Sequence, residues 1–234
     1  MIPFTLGDPM FIMNADGSNI RPVKAYPYPP LAQPGELPSW PPDENTIAFD
    51  WCNHCEEGLD ISDIYVVDLA TDTMKQPTFG EGYNDYPVGS SSAPVFSPDN
   101  EMIYFSSTRG DSTGLRSDVY SMDIDGCNVQ RLTITPNGWS EVPSLSPDGK
   151  ELAFVRADTL SNALPVPGTG GSNPMKMTDP PIGTNITLPR WSPNGKQIMF
   201  DAGGAIFVIN ADGSNLRKLS TDGIEAYQGD WNGK

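Results

Sequence analysis

The chain has 234 residues, with 30 acidic side chains against 14 basic ones and a net charge of −16. That charge repels phosphate backbones and anionic bilayers, which argues against nucleic acid and acidic membrane surfaces as partners. No apolar run approaches the 18 residues of a membrane-spanning helix, and no secretory leader is read ahead of Met1-Ile2-Pro3.

The chain opens with predicted strands over 1–6, 9–15 and 20–24, with the turn Ala15-Asp16-Gly17-Ser18-Asn19 between the last two. A Tyr- and Pro-rich connector over 25–37 leads to Trp40 and the strands TIAFD (46–50), IYVVD (64–68) and MKQPT (74–78). A second long connector, 79–93, precedes Phe96. There follow the turn 98–100 and the strands MIYFS (102–106), VYSMD (119–123) and VQRLT (129–133). Leu145 opens the next unit, with the turn Pro147-Asp148-Gly149 and the strand ELAFV (151–155). Its third strand falls on Leu164-Pro165-Val166-Pro167, where two prolines remove ladder donors, so a short or irregular strand is expected before PMKMT (174–178). Trp191, the turn 193–195, QIMFD (197–201), IFVIN (206–210) and LRKLS (216–220) form the last complete unit, and Trp231 begins one more.

These elements are copies of one pattern. A bulky apolar anchor (Trp40, Phe96, Leu145, Trp191, Trp231) recurs at intervals of 56, 49, 46 and 40 residues. Nine residues after each of the first four comes a phenylalanine, namely Phe49, Phe105, Phe154 and Phe200. Pro-Asp-Gly or Pro-Asn-Gly between them presets one turn dihedral and tolerates positive φ. Short strands at fixed offsets in units of about 45 residues, with no helical period, predict an all-β β-propeller of five four-stranded blades.

Read as a circle, Trp231-Asn232-Gly233-Lys234 followed by Met1-Ile2-Pro3-Phe4 resembles the interior segment from Trp191 to Phe200. The expectation is therefore one domain, 1–234, closed by a composite blade that joins the N- and C-termini. Blade 1 is 229–234 plus 1–24, blade 2 is 38–78, blade 3 is 94–133, blade 4 is 143–178 and blade 5 is 189–220.

S-P-D-G-K at 146–150, S-P-N-G-K at 192–196 and N-A-D-G-S-N at 210–215 resemble the TolB-type (WD40-like) β-propeller repeat over the whole chain. The resemblance implies the propeller fold and a periplasmic or extracellular protein. It implies function weakly, because such blades serve binding proteins, peptidase gating domains and lyases. The bacterial prototype has six blades and an added α/β domain, and neither is read here.

Loop length locates the expected binding face. Phe49 to Tyr65 spans 16 residues and Phe105 to Tyr120 spans 15, against seven from Phe200 to Phe207. Long loops on a rigid scaffold carry binding. The candidates there are Trp51, Tyr83, Asn84, Asp85, Tyr86 and Arg109, with Tyr26, Tyr28, Asp111 and Arg116 beside them. Aromatic rings with polar neighbours suit a peptide or a glycan, and equally pack an irregular loop against the sheet rim. A second set stands four residues before each anchor: Glu36, Ser92, Glu141, Thr187 and Tyr227. Equivalent positions rim a central channel, so Glu36, Glu141 and Tyr227 join the ligand candidates. Glu36 and Glu141 could also hold Ca²⁺ through oxygen ligands, although ordered water fills such a mouth as readily.

Cys52, His54 and Cys55 supply too few ligands for zinc, and Cys127 is left over. The Asp-Gly turns lack the twelfth-position Glu of a calcium loop and read as hairpin turns. Two functions fit these observations. One is a non-catalytic, monomeric binding module for a protein, peptide or glycan, and it is the reading favoured. The other is a carbohydrate-active hydrolase or lyase with carboxylates at the channel mouth. Against catalysis, no nucleophile elbow or Ser-His-Asp set can be assembled around the single histidine.

Overall fold

Alternating apolar residues bounded by Pro, Gly, Asn and Asp give short antiparallel strands. The computed structural model describes residues 2–5, 10–14, 16–23, 38–40, 45–52, 61–79, 81–83, 86–136, 138–158, 161–163, 165–166, 175–176, 186–220 and 231, and no helix occurs among them.

The first sheet has the order β1 (Ile2–Thr5), β2 (Met10–Met13), β3 (Arg21–Pro22), and the second β4 (Thr46–Cys52), β5 (Ser62–Asp68), β6 (Thr73–Lys75). A hairpin of β7 (Glu81–Tyr83) and β8 (Tyr86–Val88) follows. The third sheet lines up β9 (Ser91–Phe96), β10 (Met102–Ser107), β11 (Asp118–Asp123) and β12 (Gln130–Arg131) in sequence order. The fourth has β13 (Trp139–Leu145), β14 (Leu152–Asp158) and β15 (Ser161–Ala163), with a separate pair β16 (Pro165–Val166) and β17 (Met175–Lys176). The fifth has β18 (Ile186–Trp191), β19 (Gln197–Ala202), β20 (Ala205–Asn210) and β21 (Arg217–Lys218). The strand expected to be short or irregular is represented by the three-residue β15 and the two-residue β16.

By contacts the chain forms two compact units, 1–115 with 121–130, and 116–120 with 131–234. The core of the first gathers Ile12, Val23, Ile47, Phe49, Trp51, Tyr65, Val67 and Leu69, with Trp40 and Met74 against it. That of the second gathers Ala153, Val155, Ile186, Trp191, Ile198, Phe200, Ala202 and Ile209. The repeated phenylalanines Phe49, Phe105, Phe154 and Phe200 are all buried. Their in-register partners are aromatic where the sequence placed an aromatic: Phe49 pairs with Tyr65 and Phe200 with Phe207, rings stacked at 5.9 and 5.7 Å.

Three polar devices repeat. In the Ser-Pro-Asp/Asn turns the serine hydroxyl donates to the acid or amide two residues on (Ser146 to Asp148 at 2.8 Å, Ser192 to Asn194 at 2.8 Å) and accepts the N–H of the returning strand (Glu151 and Gln197, both 2.9 Å). The Ser146 hydroxyl, with the Lys150 N–H, holds the Asp148 carboxyl below the usual range, and Ser97 with the Glu101 N–H does so for Asp99. In the Asp-Gly-Ser turns, Asp16 and Asp212 each accept the N–H two residues on at 2.9 Å, as hairpin turns should.

The third device ties the outer strand to the third. Thr78 Oγ1 accepts the Ile64 N–H at 2.7 Å and donates to buried Asp63 at 3.0 Å. Thr133 treats the Val119 N–H and Asp118 in the same way, at 2.9 and 2.7 Å, and Arg131 also binds Asp118. In the fifth sheet Ser220 keeps the N–H bond to Ile206 at 3.3 Å, with Ala205 where the acid stood.

Neighbouring sheets are stitched through the anchors. The Trp191 indole N–H donates to the Ser144 carbonyl at 3.1 Å, and the Trp231 indole to the Arg190 carbonyl at 3.0 Å. Each acceptor lies one residue before an anchor of the preceding sheet, so Trp231 stands toward the fifth sheet as Trp191 stands toward the fourth.

Gly126 has φ +90, and a Cβ there would lie 2.7 Å from the Pro77 carbonyl oxygen; Gly17, at φ +79 in the equivalent turn, faces open space. Gly17→Ala is expected to cost about 1–2 kcal/mol for the left-handed backbone. Gly126→Ala should cost about 1–3 kcal/mol more, because Pro77 must move. Urea unfolding of the two variants measures the difference, and equal losses would show that Pro77 yields freely.

Candidate functional site

The inner strands β9, β13 and β18 carry the same irregularity. Ser92 pairs with Ser106, but the next pair is Val95 with Tyr104, so two residues, Ala93 and Pro94, oppose one, Phe105. The same jump follows Glu141 paired with Val155, and Thr187 paired with Asp201. The residue just after each of these positions has positive φ: Ala93 at 51°, Val142 at 54° and Leu188 at 52°. Each precedes a proline (Pro94, Pro143, Pro189), and proline sits well in a bulge because it has no N–H to leave unpaired. For Val142 and Leu188 the left-handed backbone is strained, and such strain persists only where surrounding structure imposes it.

The bulge thus lies immediately beyond the positions read from sequence as a channel rim. Among them, Glu141 accepts a hydrogen bond from the Ser117 hydroxyl on Oε1. Ser117 is buried, and its carbonyl takes the Ser140 N–H at 2.8 Å. Glu141 is therefore held by its neighbours rather than swinging in solvent. The strand positions after Phe49 and Phe200 carry Asp50 and Asp201, both buried. Asp50 accepts the N–H of the bulge residue Ala93 at 3.3 Å.

The long connections of the second and third sheets meet at a knot of small polar residues. Ser90 Oγ accepts the Ser62 N–H at 3.1 Å, and the Ser90 carbonyl accepts the Thr108 N–H at 3.0 Å. Thr108 Oγ1 accepts the Gly89 N–H at 3.1 Å. Ser91, fully buried, donates to the Gly89 carbonyl at 3.2 Å and bonds Ser107 Oγ at 3.1 Å. Arg109 closes the knot. Its guanidinium lies 5.0 Å from the Phe105 ring centroid and donates to Ser107 and Ser91 Oγ at 3.2 and 3.4 Å. On the same unit Phe79 and Leu115 are 72% and 70% exposed, which is unusual for side chains of that size.

The TolB beta propeller domain profile matches residues 34–234. The chain belongs to the TolB β-propeller family. An uncharacterized protein of Agrobacterium fabrum is 29% identical over 171 residues, covering 69% of this chain and 52% of that one. The chain therefore spans about half the length of that relative. TolB of Acinetobacter baumannii superposes with a TM-score of 0.67 at 22% identity, over 93% of this chain and 50% of that one. Oligogalacturonate lyase of Vibrio parahaemolyticus superposes at 0.65 with 10% identity, over 93% and 61%. At these identities the likeness to the two structures is one of fold.

Within this TolB-type chain the sequence candidates divide. Glu36, Asn84, Asp85 and Tyr227 lie outside the described residues, as do Tyr26, Tyr28 and His54. Tyr83 and Tyr86 are directly paired across the β7–β8 hairpin, so connector 79–93 is partly strand rather than loop. Trp51 requires a correction. It is not a loop aromatic: β4 runs on past Phe49 to Cys52, the strand alternation puts Ile47, Phe49 and Trp51 on one face, and Trp51 is 2% exposed in the core. Arg109 lies at the knot, bonded to Ser107 and Ser91. Asp111 turns back on its own loop, accepting the N–H groups of Thr113 and Leu115 at 3.3 and 3.1 Å.

Glu141 has one oxygen committed to Ser117, and among the described residues no three His, Cys, Asp or Glu side chains cluster as metal ligands would. Cys52 is disulfide-bonded, while Cys127 is free and exposed. The sequence reading missed Asp50, Asp201 and the Ser90–Ser91 knot. The first two follow the repeated Phe as F-D in TIAFD and QIMFD, a signal that was available.

Proposed function

We propose that this TolB-type chain is a non-catalytic binding module whose ligand, a protein or peptide, docks on the connections of the second and third sheets. The observation that supports it is the knot around Ser90, Ser91 and Arg109. It fixes the bases of three connections to a rigid sheet edge while leaving Phe79 and Leu115 in solvent. Large exposed side chains on a preorganised base are what a docking partner buries. Tyr83, Asn84, Asp85 and Tyr86 belong to the same proposed face. A glycan is the lesser alternative there.

The test is a peptide-display selection against the whole chain, followed by titration calorimetry. Phe79→Ser and Leu115→Ser are expected to weaken selected peptides about tenfold or more while leaving the melting temperature unchanged. Peptides that bind both variants as tightly as the parent would overturn the proposed face. The alternative, a carbohydrate-active hydrolase or lyase, has the acidic positions Glu36 and Glu141 in its favour, and release of new chain ends from polygalacturonate by the purified protein would establish it instead.

The finer architecture belongs to the same proposal: five four-stranded blades, monomeric, with the segment around Trp231 completing the sheet begun by β1. The repeat spacing and the bond from Trp231 to Arg190 support it. Deleting 228–234 is expected to cost about 2–3 kcal/mol or more through the lost Trp231 burial, and to promote association through the opened edge. A deletion variant that stays monomeric and melts with the parent would refute closure. An oxidising compartment, the periplasm or beyond, fits the disulfide at Cys52, and cell fractionation checks it.

Calcium at the channel mouth, held by Glu36 and Glu141, is the remaining part of the proposal. EDTA is expected to lower the melting temperature of calcium-loaded protein, and Glu141→Gln to abolish that sensitivity. A loaded sample indifferent to EDTA rules the ion out.

A further inference from the structure

The connection between β10 and β11 holds its own tip, and Asp111 is the residue that does so. Its N–H donates to the Thr108 carbonyl at 2.9 Å, and its carbonyl takes the Gly114 N–H at 3.0 Å, so two tight turns follow one another. Its carboxylate is turned along the loop. Oδ1 accepts the Thr113 N–H at 3.3 Å, while Oδ2 accepts the Thr113 hydroxyl at 2.5 Å and the Leu115 N–H at 3.1 Å. A short acidic side chain reaches N–H groups two and four residues ahead in this way. Gly114, buried at φ +68, supplies the left-handed residue that brings Leu115 round to the carboxylate.

The base of the loop is tied as firmly. Thr108 donates its N–H to the Ser90 carbonyl at 3.0 Å and accepts the Gly89 N–H on Oγ1 at 3.1 Å. The next residue, Arg109, reaches Ser107 and Ser91. Base and tip are therefore both fixed, yet the residue at the end of this chain of bonds is the exposed Leu115. From there an aliphatic side chain adds little to the fold, because apolar surface stabilises only when it leaves water.

What the loop turns outward selects the class of partner. Both Asp111 carboxylate oxygens and the Thr113 hydroxyl proton are engaged inside the loop. The side chain left to solvent is a leucine, with Phe79 on the same unit. A saccharide is held by hydrogen bonds and by aromatic ring faces, and a leucine offers neither; the apolar side chains of a polypeptide can bury it. We propose that Leu115 is an anchor by which this chain docks an apolar surface of a protein partner, and that Asp111 is the positioning residue that sets the affinity by holding Leu115 in place beforehand. An anchor already ordered loses less freedom on binding. This inference deepens the docking-face reading above and rests on it.

The probe is the tightest peptide that display selection yields on the whole parent chain, titrated by calorimetry. Leu115→Ser is expected to weaken it about tenfold or more. Asp111→Ala leaves the leucine present but frees its loop, and is expected to weaken the peptide about three- to tenfold. Asp111→Asn, which keeps an acceptor oxygen, should lose less. The double variant Asp111→Ala with Leu115→Ser should bind no more weakly than Leu115→Ser alone, because a positioning residue then has nothing to position. All variants should melt close to the parent, which separates lost binding from lost folding. The inference is overturned if Asp111→Ala binds as the parent does, or if the two losses multiply in the double variant, which would make Asp111 a contact in its own right. A peptide indifferent to Leu115→Ser but weakened by Phe79→Ser removes the anchor and leaves the docking face standing. A peptide indifferent to both removes the face as well.

Discussion

The bulge shared by β9, β13 and β18 is the constraint on which the site geometry rests. A strand with a regular two-residue period would carry Ser92, Glu141 and Thr187 through to the anchors in uninterrupted alternation. The extra residue, held at positive φ before a proline, breaks that alternation at one place in each of three sheets. It puts Ser92, Glu141 and Thr187 on the opposite face from the anchors four residues on, where an even-period strand would put both on one face. It also frees a backbone N–H, that of Ala93, which Asp50 of the preceding sheet takes up.

The fold was largely legible because its determinants are local and periodic. Phe49, Phe105, Phe154 and Phe200 announce themselves by constant distance from an anchor, and burial of all four follows. The aspartates of the Asp-Gly turns declare their role through chemistry that acts over two residues. The limits of the inner strands were less legible. They begin at Ser91, Trp139 and Ile186, ahead of the boundaries at 94, 143 and 189, because the bulge interrupts the very alternation by which a strand is recognised. The proline two residues before Phe96, Leu145 and Trp191 marks that interruption, but only when its missing N–H is considered.

The candidate site was less legible than the scaffold, for a physical reason. Its organisation is carried by side-chain to backbone bonds between residues distant in sequence: Ser62 with Ser90, Ser107 with Arg109 and Ser91. Serines in a run such as Ser90-Ser91-Ser92 read as loop filler until a structure shows two of them buried or bonded across sheets. Trp51 illustrates the reverse error. An aromatic beside a Cys-rich connector looked exposed, yet β4 had two more residues to run. The cue was the spacing of Ile47, Phe49 and Trp51, each two apart, and that spacing outweighs position next to a loop.

The indole bonds from Trp191 to Ser144 and from Trp231 to Arg190 run in one direction, each sheet reaching back to the one before it. Segments coupled in this way behave as nearest neighbours, and the coupling is reciprocal: each bond stabilises the segment that donates and the segment that accepts alike. Removing one indole therefore weakens both sides of its junction at once, and a cavity beside a tryptophan stitch is felt across it whichever side it falls on.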